Sequence, residues 1–293
     1  MTAQPTETAT ENATAKISVS GVGKTFAVRG GGEFTALQDV RLDVAAGEFL
    51  VVVGPSGCGK STLLDLIGGL AAPTSGRVLI DGTEVTGPAL DRGIVFQQYA
   101  LLPWRTALRN VEFGLEAASA RTGLRRRERS RIAREHLDLV GLSGFADRNP
   151  HELSGGMKQR VAIARSLAYD PDVLLMDEPF AALDAQTRES LQDELLRIWA
   201  RTGKTVVFIT HGIDEAVYLG GRVAVLTARP GTVKEIVDID LGPRDAEDGD
   251  RDVRSSPGFA AHRHRVWSLL RDEVQTAQRL TVPAPRKQEV DHG

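Results

Sequence analysis

Cysteine is almost missing from this chain. Cys58 is the single one in 293 residues, so no intrachain disulfide can form, and a reducing, cytosolic setting is the default expectation. Aromatic residues make up only 5%, which argues against an aromatic-rich binding platform. Charge of one sign is missing too. The 36 Lys+Arg stand against 39 Asp+Glu for a formal charge of -3, so there is no global basic field to hold a nucleic-acid backbone and no nucleic-acid partner is expected. Long hydrophobic runs are absent. The most apolar stretches, Phe49 to Val53, Val173 to Met176 and Val206 to Ile209, are strand-sized, whereas crossing a bilayer takes about 20 apolar residues. Thr2 to Ala15 has neither the basic nor the apolar region of a signal peptide, and reads as a disordered lead-in that buries too little to order itself.

What remains is ordinary globular material, 41% hydrophobic and 26% charged, enough for one large domain or two small ones. Strand and helix signals alternate. Short strands at Ile17 to Ser20 and Leu37 to Val44 flank the turn Gly30-Gly31-Gly32, and the buried-strand run Phe49 to Val53 leads through a glycine-rich loop into a helix over Lys60 to Leu70. Arg77 to Asp81 and Gly93 to Phe96 read as further strands. Thr106 to about Arg165 turns helical, with one helical pattern over Arg121 to Val140. Strands return at Val173 to Met176 and Thr205 to Thr210, separated by an amphipathic helix over Asp184 to Arg201 that carries Leu191, Leu195, Ile198 and Trp199 at helical spacing. Arg222 to Leu226 and Thr232 to Ile239 suggest two more strands, and Phe259 to Arg279 a last helix. This order predicts an α/β fold, a mostly parallel sheet with flanking helices. The organisation expected is a lead-in over 1–15, one unit over 16–242 with a helical subdomain inserted at about 98–166, and a linker, helix and tail over 243–293.

Three motifs carry chemistry. Gly54-Pro55-Ser56-Gly57-Cys58-Gly59-Lys60-Ser61, with Thr62 after it, fits the phosphate-loop pattern and stands between a β-branched strand and a helix, as its mechanism demands. Its glycines let backbone N–H groups turn inward, and the helix start adds a favourable dipole for phosphate. Lys60 then bridges β- and γ-phosphates and Ser61 ligates Mg²⁺. Val173-Leu-Leu-Met-Asp177-Glu178 is an apolar strand ending in two acids. Asp177 completes the Mg²⁺ shell through water, and Glu178 orients and deprotonates the attacking water. Leu153-Ser154-Gly155-Gly156-Met157 opens a helical run and makes a second anion cradle from a hydroxyl and two glycine backbones.

With this third motif the sequence resembles the ATP-binding-cassette (ABC) ATPases, over about Ile17 to Arg271. The resemblance implies a P-loop NTPase-type sheet with a small N-terminal antiparallel β part, MgATP as cofactor, and a homodimer in which Ser154, Gly155 and Gly156 close on the γ-phosphate held by the partner. It implies roles residue by residue. Phe26 stacks on adenine, Gln97 senses Mg²⁺ and the γ-phosphate (Gln98 is the second choice), Ala182-Leu183-Asp184 crosses the dimer, and His211 contacts the γ-phosphate. Two positions depart from the family pattern: Met157 replaces a usual Gln, and Gly212 a usual Asp.

Tyr99-Ala-Leu-Leu-Pro103-Trp104-Arg105 follows directly and suits a surface that docks a partner helix. This wording, with Asn110-Val111, Pro179-Phe180 and Ala228-Arg229-Pro230-Gly231, resembles the nitrate, sulfonate and taurine importers. The resemblance implies a membrane-associated ATPase subunit on the cytoplasmic face, with permease subunits and, indirectly, a solute-binding protein as partners. The alternatives are a soluble cassette ATPase that moves no solute, and the ATPase of an export complex. Arg125 to Arg131 is interleaved with Glu128 and reads as a solvated helix face. Cys58 reads as a small residue filling its loop, and His262 and His264, two apart on a helix, do not share a face.

Overall fold

The inner strands of the six-stranded sheet, β3 and β8 among them, are buried along their whole length, and that is what places the chemistry at their ends. A computed structural model describes residues 15–28, 30–242 and 253–281. Nearly all of the expected lead-in, the linker residues 243–252 and the tail from 282 onward lie outside them.

Strands β1 (Ile17–Ala27) and β2 (Glu33–Val44) pair antiparallel, and β4 (Ser75–Ile80) and β5 (Thr83–Glu84) extend them to a four-stranded antiparallel sheet in the order β2-β1-β4-β5. Both first strands run longer than the short segments the sequence suggested. The added residues, including Phe26 opposite Phe34, pair with each other up to the glycine turn. The second sheet is made of β3 (Phe49–Val53), β6 (Arg92–Val95), β7 (Val173–Asp177), β8 (Thr205–Ile209), β9 (Arg222–Leu226) and β10 (Val233–Asp238). Its order is β10-β9-β3-β8-β7-β6, parallel from β9 to β6 with β10 antiparallel at one edge.

Strand β3 is buried at every residue, because a parallel sheet is covered on both faces. With a period of two, Phe49, Val51 and Val53 join one core and Leu50 and Val52 the other. The second core holds α1 (Lys60–Gly68) and the antiparallel sheet; the first holds the remaining helices. These are α2 (Ala107–Thr122), α3 (Arg126–Leu139), α4 (Gly155–Leu167), α5 (Ala185–Thr202), α6 (Ile213–Leu219) and α7 (Pro257–Thr281). Phe49, Phe180 and Phe208 stack in the first core with ring centroids 5.7 to 6.0 Å apart, which anchors the segment after Glu178 to β8.

The helical pattern expected over Arg121 to Val140 is two helices, not one. Gly123 takes a left-handed conformation that ends α2, and α3 starts afresh at Arg126, burying Ala133 and Leu137 while Arg131 pairs with Glu135 at 2.6 Å on an exposed face. Helix α1 likewise stops at Gly68, two residues short of Leu70, because Gly69 caps it in the left-handed region. Thr106, Ser154 and Asp184 each cap a helix by accepting a backbone N–H three residues on, each contributing about 1 kcal/mol.

The segment between β6 and α2 is held by two side chains, Asn110 and Arg165. Asn110 is fully buried. It accepts from Leu102 N at 2.8 Å and donates to the carbonyls of Leu102, Arg105 and Thr106 at 2.9 to 3.2 Å. Arg165 adds bonds to the carbonyls of Tyr99 and Ala100. Trp104, on the segment so pinned, is 75% exposed. Replacing Asn110→Ala leaves the Leu102 N–H and Arg105 carbonyl without their partner and should cost about 2–4 kcal/mol of unfolding free energy in urea titration. A loss under about 0.5 kcal/mol would mean the segment holds itself.

Candidate active site

The phosphate loop is shaped by what lies beneath it. A Cβ on Gly59 would sit 2.6 Å from Leu37 Cδ2 and 3.0 Å from the Ala36 carbonyl, and its φ is +105°. Only glycine fits where the chain turns from β3 into α1. Gly57 is also left-handed, at +75°. Gly54, Pro55 and Cys58 are buried in the loop wall. Burial pushes the Cys58 thiol up, offset in part by the Lys60 and Arg229 charges, which keeps it protonated and inert. Lys60 is 7% exposed, and its ammonium donates to the carbonyls of Gly54 at 2.9 Å and Pro55 at 3.1 Å. Ser56, Gly57, Gly59, Lys60, Ser61 and Thr62 line one open cleft of about 360 Å³, shared with Phe26, Phe34, Ala36, Glu178 and Arg229. Phe26 is 41% exposed there.

Strand β7 brings the acids to the same place. Ser61 Oγ donates to Asp177 Oδ1 at 3.1 Å. Burial, joined by the charge of Glu178, raises the Asp177 carboxyl despite the Ser61 bond and Lys60, and burial with Asp177 raises Asp65 on α1. A hydroxyl and a carboxylate with excess negative charge beside a phosphate loop are the hard-oxygen donors that Mg²⁺ prefers, so the residues fit that ion. Glu178 has φ +43°, a conformation costing an L residue about 1–2 kcal/mol. Its N–H donates to the Ile209 carbonyl at 3.0 Å. His211 Nδ1 lies 3.0 Å from Glu178 Oε2. The carboxylate oxygen accepts, so Nδ1 is the donor of this bond.

Other expected site residues do not line this cleft. Gln97 follows β6 and is exposed at the strand-end edge. Ser154 caps α4, accepting from Met157 N at 3.3 Å. A Cβ on Gly155 would meet Leu183 and Tyr99, and one on Gly156 would meet Thr187 at 2.7 Å. The second anion cradle and the Asp184 loop thus pack against each other, away from the residues that line the phosphate-loop cleft. Met157 packs on the first core. At Gly212, which replaces the acid of the family pattern, Thr210 Oγ1 accepts the backbone N–H at 2.9 Å, and Asp214 is the exposed acid in the first turn of α6.

Two features escaped sequence reasoning. Phe34 and Arg229 line the cleft; Arg229 stands in a loop that the sequence offered only as wording shared with importers. Glu215 sits behind His211, in a second cavity of about 240 Å³. It accepts from Gln192 Nε2 at 2.8 Å and from Thr210 Oγ1.

A parallel sheet that delivers a phosphate loop, two strand-end acids and a histidine to one edge defines an α/β P-loop NTPase. A family model described as "ABC transporter" matches residues 37–181. The taurine import ATP-binding protein TauB of Rhizobium johnstonii is 50% identical over 246 residues, covering 84% of this chain and 92% of that protein. The nitrate import ATP-binding protein NrtD of a Synechocystis species is 49% identical, covering 82% and 90%. The ATP-binding cassette MJ0796, solved as a dimer in a post-hydrolysis state with ADP and Pi, superposes with TM-score 0.68 at 39% identity, covering 76% of this chain and 99% of that one. The chain belongs to the ABC transporter ATP-binding family. As such it binds ATP and is an ATPase.

Burial raises the Glu215 carboxyl above the usual range, against its bonds to Thr210 and Gln192. Its folded form therefore binds the proton more tightly than the unfolded chain, and the stability this adds is complete at acid pH and lost as pH rises through the raised value. Glu215→Gln removes that titration, so its melting temperature relative to the parent should climb as pH rises above the ordinary carboxylate range. A difference that stays flat across that rise would contradict a buried, proton-retaining Glu215.

Proposed function

We propose that this chain is the ATP-hydrolysing subunit of an importer for a small anionic or sulfonate-type solute, acting as a homodimer beneath a separate permease on the cytoplasmic face of the membrane. The observation that carries the reading is the separation of the two anion cradles on one chain. The phosphate-loop cleft contains neither Ser154 nor its glycines, so a second copy is needed to bring them to a nucleotide. Relatives named for taurine and nitrate import supply the solute class. No helix among the described residues is long and apolar enough to cross a membrane, so translocation falls to other chains. We take 16–242 as the ATPase unit, its helical subdomain at about 98–166, and 243–293 as an appended segment.

The proposed roles follow from position. Phe26 supports the adenine, and backbone N–H groups from Gly54 to Thr62 surround the phosphates, with Lys60 neutralising their charge. Ser61 and Asp177, with Gln97 reaching from the end of β6, would hold Mg²⁺, whose charge when bound offsets that on the β- and γ-oxygens. Glu178 takes the proton of the attacking water. His211 holds Glu178 Oε2 through Nδ1 and faces the γ-phosphate with Nε2, which donates there when the ring carries both protons. Ser154, Gly155, Gly156 and Asp184 serve the nucleotide of the partner. Most of the effect is positioning and charge neutralisation in a closed site. The segment from Tyr99 to Arg105, pinned by Asn110 and presenting Trp104, is the proposed docking surface for the permease.

Glu178→Gln keeps the shape and removes the base, so ATP binding should persist while turnover falls by about 10²–10⁴, and a nucleotide-bound dimer should accumulate on size exclusion. Near-parental turnover would remove Glu178 from that role. The importer reading is tested by tagging the chain, solubilising native membranes gently and identifying what co-purifies. A polytopic permease, with or without a solute-binding protein, supports import. Soluble partners alone would leave the ATPase standing and overturn the transporter.

A further inference from the structure

The loop after β9 reaches the nucleotide cleft although it belongs to none of the motifs that define the site. Arg229 Nε and Nη2 both donate to the Gly57 carbonyl at 3.3 Å, and the guanidinium lies 4.3 Å from the centre of the Phe34 ring. Phe34 is the cross-strand partner of Phe26, so both rings stand on the same end of the antiparallel sheet. Arg229 therefore spans the gap between the aromatic pair and the phosphate loop. Its loop is held from two sides. Gly231 N donates to the Ala36 carbonyl at 2.9 Å and Gln38 N to the Gly231 carbonyl at 3.0 Å. On the other side Glu273 of α7 accepts from Ala228 N at 2.8 Å and from Lys234 Nζ at 2.7 Å. Helix α7 is itself seated by Phe259, Val266 and Leu270, all buried.

Granting that the cleft is the ATP site, we propose that Arg229 is a further nucleotide-binding residue that contacts the α-phosphate where it joins the ribose, and that Glu273 is a positioning residue holding it there from α7. The acceptor that Arg229 now meets is a neutral carbonyl at the long end of hydrogen-bonding range. A phosphate oxygen is anionic, and charge-assisted bonds to a guanidinium fork are about twice as strong as neutral ones. Lys60 cannot serve the same end, because an ammonium is a point charge without the planar fork and its donors are aimed at the Gly54 and Pro55 carbonyls. The Glu273 carboxyl is held below the usual range by Lys234 and the Ala228 N–H, which outweigh its partial burial, so it is ionised at neutral pH and keeps both bonds.

The location makes a specific claim: the α-phosphate is common to ATP and ADP, so both must feel Arg229 equally. Calorimetric titration of the full chain with each nucleotide in Mg²⁺ tests it, with Lys60→Ala as the reference for loss of the cleft. Arg229→Ala should weaken ATP and ADP alike by about tenfold, with the nucleotide-free melting temperature unchanged because the side chain is exposed. Arg229→Lys should recover only part of the loss. Glu273→Gln should weaken both by about threefold, and adding it to Arg229→Ala should bring no further loss, because residues acting through one contact are not additive. Arg229→Ala within about twofold of the parent for both nucleotides, or a loss confined to ATP, overturns the α-phosphate contact. Additive losses in the double variant overturn the role of Glu273. If the parent itself does not bind ATP, or Lys60→Ala binds as well as the parent, the nucleotide reading of the cleft falls and takes this proposal with it. Tight parental binding with an unaffected Arg229→Ala overturns this proposal alone.

Discussion

Everything at the site hangs on the way the chain leaves β3. A strand buried on both faces has no solvated edge along its length, so its first polar chemistry has to appear where it ends. There the chain turns into α1 across Leu37 and Ala36 at a distance that no side chain at position 59 could tolerate. This close crossing sets the start of α1, and with it the direction of the loop N–H groups and the place of Lys60 and Ser61. It also locks the phosphate loop to the antiparallel sheet, whose far end carries Phe26 and Phe34. The Phe26–Phe34 pair and the phosphate loop are thus parts of one packed unit.

Charge balance then orders the edge of the sheet. Asp177, Glu178 and Asp65 gather negative charge within reach of Ser61, and burial makes two of them reluctant to ionise. Lys60 offsets part of this, and a hard divalent cation would offset the rest. Glu178 is kept in a strained backbone conformation by a bond to Ile209 and by Phe180 packed on Phe208. Strain of this kind persists where the surroundings over-determine it, and here the buried Phe180 and the β8 carbonyl do so. The carboxylate and His211 are therefore oriented as a pair by the core rather than by solvent-exposed turns.

The carboxy-terminal helix gives the cassette a second level of support. Through Glu273 it steadies the loop of Arg229, and just before it Arg254 donates to Gln192 at 2.8 Å, beside Glu215 and the turn of His211. Residues 253–281 thus bond Ala228, next to Arg229, and Gln192, whose amide donates to Glu215.

The sequence by itself determined the phosphate loop, the Asp177–Glu178 strand end, the Ser154 helix start and the α/β alternation, because each is a local pattern: a glycine spacing, an apolar run, a cap followed by a helix. Local signals also placed most strands and helices, though they ran α2 and α3 together, since Gly123 reads as a tolerated glycine until its left-handed conformation is seen. What only the tertiary structure decided is which of these motifs meet. Phe34 joins the cleft by pairing with Phe26 across the glycine turn, Arg229 because its loop bonds to Ala36 and Gln38 of β2, and Glu215 shares a cavity with His211. Gly155 and Gly156 lie against Leu183 and Thr187 and do not line the phosphate-loop cleft. Such meetings depend on strand order and on which face each residue presents, and a two-residue period along one strand carries no information about its neighbour.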